Sequence, residues 1–297
     1  MPLDIRKFAS TLRVSDGAWG TQLQAQGLAP GAAPELWNVQ NPDAVRAVAD
    51  SYVRAGSDVI LSNTFGANRL ILAGHALGDR AAELGRAGVA ISRQAAGEAV
   101  KVFASIGPSG KIVMMGDVDE SLFAAAFAEA ARAARDGGAD ALLFESFAEL
   151  AELTIALRAA REACDLPLLA SMTFSSGPDG LATMMGDTVD AFVRAAAECD
   201  AAAVGANCGV GPANYVRVAR RMRQVTDLPI WIKANAGVPH VDSAGRTVFP
   251  MGSDEFASYA TALAEAGVGF IGGCCGTTPQ HIRAVREAVD KIAASRV

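Results

Sequence analysis

Histidine is scarce. Three residues in 297 are His, none in a His-x-His or His-Glu-x-x-His pattern, which argues against the imidazole-rich metal sites of hydrolases. Basic clusters are missing too. Lys and Arg number 26 against 32 Asp and Glu, for a net charge of −6, and the arginines are scattered along helical patterns, so nucleic acid is not an expected partner. No apolar run reaches membrane-spanning length, and the start Met1-Pro2-Leu3-Asp4-Ile5-Arg6-Lys7 lacks a signal-peptide core. Five cysteines, an odd number, point to a reducing compartment, and the expected location is the cytoplasm.

What is present is a large apolar share, 51% of the chain, and a regular alternation. Short β-branched, aromatic or small-residue runs lie at Leu12–Asp16, Asp58–Ser62, Val102–Ile106, Ala141–Glu145, Leu168–Thr173, Ala201–Asn207, Ile230–Asn235 and Val268–Gly272. Helical spacing separates them, over Asp43–Ala55, Asp79–Ala99, Glu120–Asp136, Ala148–Ala163, Thr188–Glu198, Asn214–Val225, Asp254–Ala266 and Pro279–Ala294. Eight βα units predict a single (β/α)₈ TIM barrel over residues 1–297. A doubly wound open sheet is the alternative, but no Gly-x-Gly-x-x-Gly follows the first strand. Leu28–Asn41 and Gly237–Phe249 read as longer loops roofing the barrel mouth.

Three cysteines stand apart from the other two. Cys164 and Cys199 end helical patterns and read as small packed hydrophobes. Cys208, in Asn207-Cys208-Gly209, and the pair in Gly272-Gly273-Cys274-Cys275-Gly276-Thr277 each follow a strand and meet glycine. Three thiolates on one ion leave a tetrahedral zinc one open position, the arrangement of catalytic sites. That open position suits a thiol substrate held as thiolate.

Two acids end strands on the same predicted face. Asp16, in Asp16-Gly17-Ala18-Trp19-Gly20-Thr21, reads either as a turn-initiating residue or as a ligand group. Glu145, closing Leu142-Leu143-Phe144-Glu145, needs a partner because an unpaired buried carboxylate is costly. A substrate ammonium would satisfy both acids, while backbone N–H groups of the glycine loop take a carboxylate. Those demands match an amino-acid thiol such as homocysteine. His75 and His281 read as surface or packing residues, and His240 lies in a loop near the mouth.

At these residues the chain resembles the homocysteine S-methyltransferase family over essentially its whole length. The matching pieces are Asp16-Gly17-Ala18-Trp19-Gly20-Thr21, Asn63-Thr64-Phe65, Glu145, Gly205-Ala206-Asn207-Cys208 and Gly272-Gly273-Cys274-Cys275-Gly276-Thr277-Thr278-Pro279. The resemblance implies a zinc-bearing barrel that methylates homocysteine to methionine. Its metal ligands carry over to Cys208, Cys274 and Cys275. Its substrate-binding positions carry over to Asp16, Gly17, Ala18, Asn63, Thr64, Phe65 and Glu145, with the Gly17-Ala18 backbone near the substrate carboxylate.

For the methyl donor, Asn63-Thr64-Phe65-Gly66 and Cys275-Gly276-Thr277-Thr278-Pro279 look closest to the module of methionine synthase served by methylcobalamin. No Asp-x-His-x-x-Gly cobalt-ligating segment occurs in the chain, so the expected carrier is a separate corrinoid protein. Betaine or S-methylmethionine as direct donor is the alternative. Gly66 stands where animal betaine enzymes carry an aromatic, although Trp19, Trp37 and Phe65 offer other cation–π faces. Two further classes compete: a catalytically silent zinc-binding barrel, and a metal-free lyase using Lys233 as its amine.

Overall fold

The computed structural model describes residues 2–295 except 117, 244 and 246. The barrel strands are β1 (Arg13–Val14), β2 (Val59–Ile60), β3 (Lys101–Ile106), β4 (Ala141–Phe147), β5 (Leu168–Met172), β6 (Ala203–Cys208), β7 (Ile230–Ala234) and β8 (Phe270–Gly273). All pair in parallel, from β1 through β8 and down to β2. A parallel bridge from Ser15 to Val59 joins β1 to β2 and closes the ring. The architecture is a (β/α)₈ TIM barrel, as the alternation of patterns predicts.

Its helices are α1 (Pro42–Arg54), α2 (Ala81–Ala96), α3 (Glu120–Asp136), α4 (Leu150–Ala163), α5 (Val189–Glu198), α6 (Pro212–Val225), α7 (Ser253–Ser258), α8 (Ala260–Glu265) and α9 (Pro279–Ala294). The pattern expected as one helix over Asp254–Ala266 is thus two short ones that meet at Tyr259. Ser258 Oγ donates to Glu255 O at 2.7 Å, a local side-chain bond of the kind that competes with a regular turn. The two expected roof loops also carry structure. Leu28–Asn41 contains the 3-10 turn Pro34–Leu36 and the short helix Trp37–Gln40, and proline at the first position suits that start. The Gly237–Phe249 stretch holds a small antiparallel hairpin pairing His240–Val241 with Thr247–Val248.

Strand alternation sorts the core into two shells. Odd positions Val59, Leu61, Phe103, Ala141, Leu143, Leu169, Ala203 and Trp231, with Phe270, form the barrel interior. Their neighbours Ile60, Val102, Leu142, Leu168, Val204, Ile232 and Ile271 pack outward against the helices. The lower interior is apolar and aromatic: Trp231 lies 5.1 Å from Phe270 and 5.7 Å from Phe103. Ile5, from the short helix Ile5–Phe8, packs into this cluster.

One step further along each strand the same inward positions turn polar. Ser105 follows Phe103, Glu145 follows Leu143, Ser171 follows Leu169, and Lys233 follows Trp231. Small residues make room for them. A Cβ on Gly272 would sit 2.0 Å from Ser15 Oγ and 3.2 Å from Lys233 Cγ. The carboxyl ends of the strands therefore carry a polar layer on an apolar plug.

Candidate active site

A cavity of about 440 Å³ opens on that polar layer. Its walls include Gly17, Ala18, Trp19, Asn63, Phe65, Ser105, Glu145, Ser146, Lys233 and all three cysteines singled out from the sequence.

The sulfurs of Cys208, Cys274 and Cys275 lie within 4.8 Å of one another, with Cys208 Sγ 3.0 Å from Cys274 Sγ. Backbone bonds fix the pair that follows β8. Cys274 N–H donates to Ala234 O at 2.7 Å, and Cys275 O accepts from Ala236 N–H at 3.0 Å. Thr277 Oγ1 ties the turn from inside, donating to Cys274 O at 2.7 Å. The approach is close, since a Cβ on Gly273 would lie 2.3 Å from Thr277 Oγ1. Cys208 arrives differently. Its φ of 62° is left-handed, as is the 65° of Ser146 beside it, a conformation that costs a non-glycine residue about 1 kcal/mol or more.

The side chain of Asn207 over-determines both. Its Oδ1 accepts Ser146 N–H at 2.8 Å and Ser171 Oγ–H at 2.7 Å, while its Nδ2 donates to Ser146 Oγ at 2.6 Å. Tyr215 OH donates to Asn207 O at 2.5 Å. Three thiols this close resist ionising together. For Cys208 the hydrogen bond with Cys274 favours the thiolate, but the contact with Cys275 and burial outweigh it and push the thiol up to about 12. Cys275 likewise gains from Cys208, yet Cys274 and burial carry it up to about 12. Cys274 rises too, through its hydrogen bond with Cys208 and through burial. Without a cation the cluster is neutral near pH 7. With one, three soft donors beside a cavity fit a thiophilic metal ion.

The acids part company. Asp16 is fully buried and does not line the cavity. Its Oδ2 accepts Trp19 Nε1–H and Leu61 N–H, both at 2.7 Å, and its Oδ1 pairs with the Lys233 ammonium. Glu145 faces the cavity, and its Oε1 accepts Ser105 Oγ–H at 2.5 Å. Burial raises its pKa, against the opposing pull of Lys233 and Ser105. Burial alone would discharge Lys233, but the Asp16 and Glu145 charges outweigh it and hold the ammonium. A lysine held protonated is the reverse of what Schiff-base chemistry asks.

The glycine loop is closely engaged. Ala18 N–H donates to Thr277 Oγ1 at 3.1 Å, and Ala18 O accepts Tyr52 OH at 2.6 Å. Asn63 lines the cavity, its Nδ2 donating to Pro34 O and Asn38 Oδ1, both at 2.8 Å. Thr64 sits behind the wall, bonded to Ser62 and Ser105. Phe65 is 42% exposed at the mouth. Trp37 packs against the core instead of the cavity.

Cys164 and Cys199 are buried C-caps of α4 and α5. His281 caps α9 through Thr278 and meets Met251 O at 3.0 Å, whereas exposed His75 lines the cavity mouth. Sequence reasoning missed Ser105, Ser146, Thr277, the Asn207 side chain and the placement of Lys233. Asn207 and Thr277 stand inside the segments that carry the family resemblance, and Lys233 lies two residues from an aromatic strand residue; Ser105 and Ser146 had no usable signal.

The family signature described as homocysteine S-methyltransferase matches residues 13–289. Methionine synthases of Mycobacterium tuberculosis and Mycobacterium leprae are 33% and 31% identical over 96% of the chain. The chain spans about a quarter of those relatives, since the match covers 25% of each. The metallated crystal structure of the homocysteine methyltransferase MmuM from Escherichia coli shares the fold, with a TM-score of 0.76 at 24% identity, covering 94% of this chain and 96% of that one. A methyltransferase from Methanosarcina mazei is similar at a TM-score of 0.64 and 13% identity, with 97% of each chain covered.

Proposed function

This chain belongs to the homocysteine S-methyltransferase family of enzymes, and on that footing we propose that its cavity methylates homocysteine to methionine. The observation that carries the reading is the convergence of three sulfurs on a cavity that also presents a buried carboxylate. We assign zinc to Cys208, Cys274 and Cys275. Held there, zinc supplies the Lewis-acid chemistry that lets a substrate thiol lose its proton near neutral pH, although a free thiol has a pKa of about 8.5.

The chain's own residues do the rest. Glu145, oriented by Ser105, receives the substrate ammonium. Gly17, Ala18, Asn63 and Phe65 border the acceptor and donor spaces, and Asp16 and Thr64 support that wall from behind. The homocysteine sulfur then attacks the methyl carbon in line as the bond to the donor breaks, so no histidine base is needed.

For the donor we favour methylcobalamin on a separate corrinoid protein. A direct betaine cage lacks one aromatic face at Gly66, whose N–H donates to Glu35 Oε1 at 2.7 Å. Exposed apolar side chains, among them Met114, Met115, Met184, Val210 and Val238, stand on loops following β3, β5, β6 and β7. They offer a macromolecular partner a rim around the mouth. The second reading, a small cationic donor, draws on Trp19 and Phe65, two aromatic residues on the cavity wall.

We further take residues 1–297 as one barrel domain acting in the cytoplasm; among the described residues no helix is long and apolar enough to cross a membrane. The test is an assay with homocysteine fixed and methylcobalamin, betaine and S-methylmethionine compared, following methionine. Turnover with betaine alone, and none with any methylcobalamin source, free or carried by a corrinoid protein, rejects the corrinoid donor; turnover with none of these donors rejects the activity.

A further inference from the structure

The opposite face of the barrel carries a second cavity, of about 810 Å³, at the amino ends of β1, β7 and β8. Four arginines line it, Arg6, Arg13, Arg223 and Arg286, against one acid, Asp227. Two of the four have carboxylate partners. Arg13 and Arg286 share Asp58 at 3.8 and 3.0 Å, and Arg286 also meets Asp290 at 2.7 Å. Arg6 and Arg223 bond only to backbone carbonyls among the described residues. Arg6 Nη1 donates to Asp227 O at 3.2 Å, and Arg223 donates to Thr226 O, Leu228 O and Gly267 O at 2.8, 2.9 and 3.1 Å. Even with Asp58 and Asp290 behind the wall, guanidiniums outnumber carboxylates here, in a chain whose net charge is −6.

Capping of carbonyls near a helix end explains part of what Arg223 does. Arg93 caps the turn after α2 in the same way, through Val100 O at 2.6 Å, but it keeps Asp140 as counter-ion at 2.7 Å. Arg223 has no such partner. Burial lowers its pKa, Asp227 opposes that pull, and the charge of Arg6 adds to it. A half-buried guanidinium beside a second cation is relieved by an anion placed between them. Each guanidinium has five N–H donors, and neither Arg6 nor Arg223 has spent them all on carbonyls. A phosphoryl dianion matches two guanidiniums better than the single charge of a carboxylate. The rest of the wall is apolar, with Leu12, Val268, Val289 and Ile292. We propose that this cavity binds a small organic phosphate, its phosphoryl group held by Arg6 and Arg223 and its apolar body lying on those four side chains. The site shares no lining residue with the sulfur-bearing cavity, so its occupancy does not depend on methyl transfer.

The experiment is calorimetric titration of the full chain, in phosphate-free buffer of low ionic strength, with phenyl phosphate, inorganic phosphate and benzoate. Phenyl phosphate saturates one site and binds about tenfold or more tightly than either of the others. Inorganic phosphate lacks the apolar body, and benzoate lacks the second charge. Arg6→Glu weakens phenyl phosphate about tenfold, the scale of a charge-assisted hydrogen bond, and Arg223→Met does so at least as strongly. Arg6 is exposed, so its variant keeps the test decisive should Arg223→Met not fold. Glu145→Gln, in the other cavity, leaves the affinity unchanged; a loss there places the ligand in the wrong site and overturns the proposal. No saturable binding of phenyl phosphate by the wild type overturns it outright, as does an affinity that Arg6→Glu leaves unchanged. Equally tight inorganic phosphate overturns the organic ligand, and equally tight benzoate overturns the phosphoryl class.

Discussion

Cys208 shows how much a single position can demand. It holds a left-handed backbone next to Asn207, whose side-chain amide grips Ser146 and Ser171. Asn207→Ala should leave the three cysteines in the chain yet weaken zinc about ten- to a hundredfold, as loss of a group that orients a metal ligand does; a competitive chelator titration reads this. Cys208→Ser or Cys275→Ser should lose zinc and methyl transfer together while far-UV circular dichroism stays that of the native barrel. Glu145 brings a pH dependence. Its folded pKa is raised above the ordinary 4.5 by burial, and it must be ionised to hold an ammonium. Homocysteine affinity should therefore fall on acidification at a pH above that of an ordinary carboxylate, and Glu145→Gln should flatten the profile.

At the scale of elements, the strands and helices were legible because their periods differ. All eight strand patterns fall on observed strands, and Glu120–Asp136 and Pro279–Ala294 match to the residue. Side-chain direction was less legible. Lys233 reads as inward only once Trp231 is known to be interior, and tertiary packing decides that. The hairpin at His240–Val241 escaped because two-residue strands carry no period. Cys208, Cys274 and Cys275 were legible from their place after strands, whereas Ser105 and Ser146 were not, since a serine beside a loop is unremarkable in sequence. The polar layer also imposes a stability constraint on β8. Gly272→Ala places a methyl 2.0 Å from Ser15 Oγ, an overpacking expected to cost about 1–3 kcal/mol. A lowered urea midpoint with unchanged slope would show it.

For the whole molecule, the division is between an apolar plug and a polar mouth. Trp231, Phe103 and Phe270 close the lower barrel, while the Lys233–Asp16 pair ties β7 to the end of β1 just above. Because the folded pKa of Lys233 is raised above its ordinary 10.5, the pair's contribution is complete below that pH. It is lost as pH climbs through the folded value. Alkaline unfolding should accordingly begin above about pH 10.5 for the wild type, and this phase should be missing in Lys233→Met. The barrel thus keeps its charge where the chemistry is proposed and its hydrophobic bulk elsewhere. The most direct measurement of the central claim is zinc absorption-edge spectroscopy on reduced, zinc-loaded protein before and after adding homocysteine. Three sulfur neighbours rising to four is the predicted result; a sulfur count that homocysteine leaves unchanged would contradict the account.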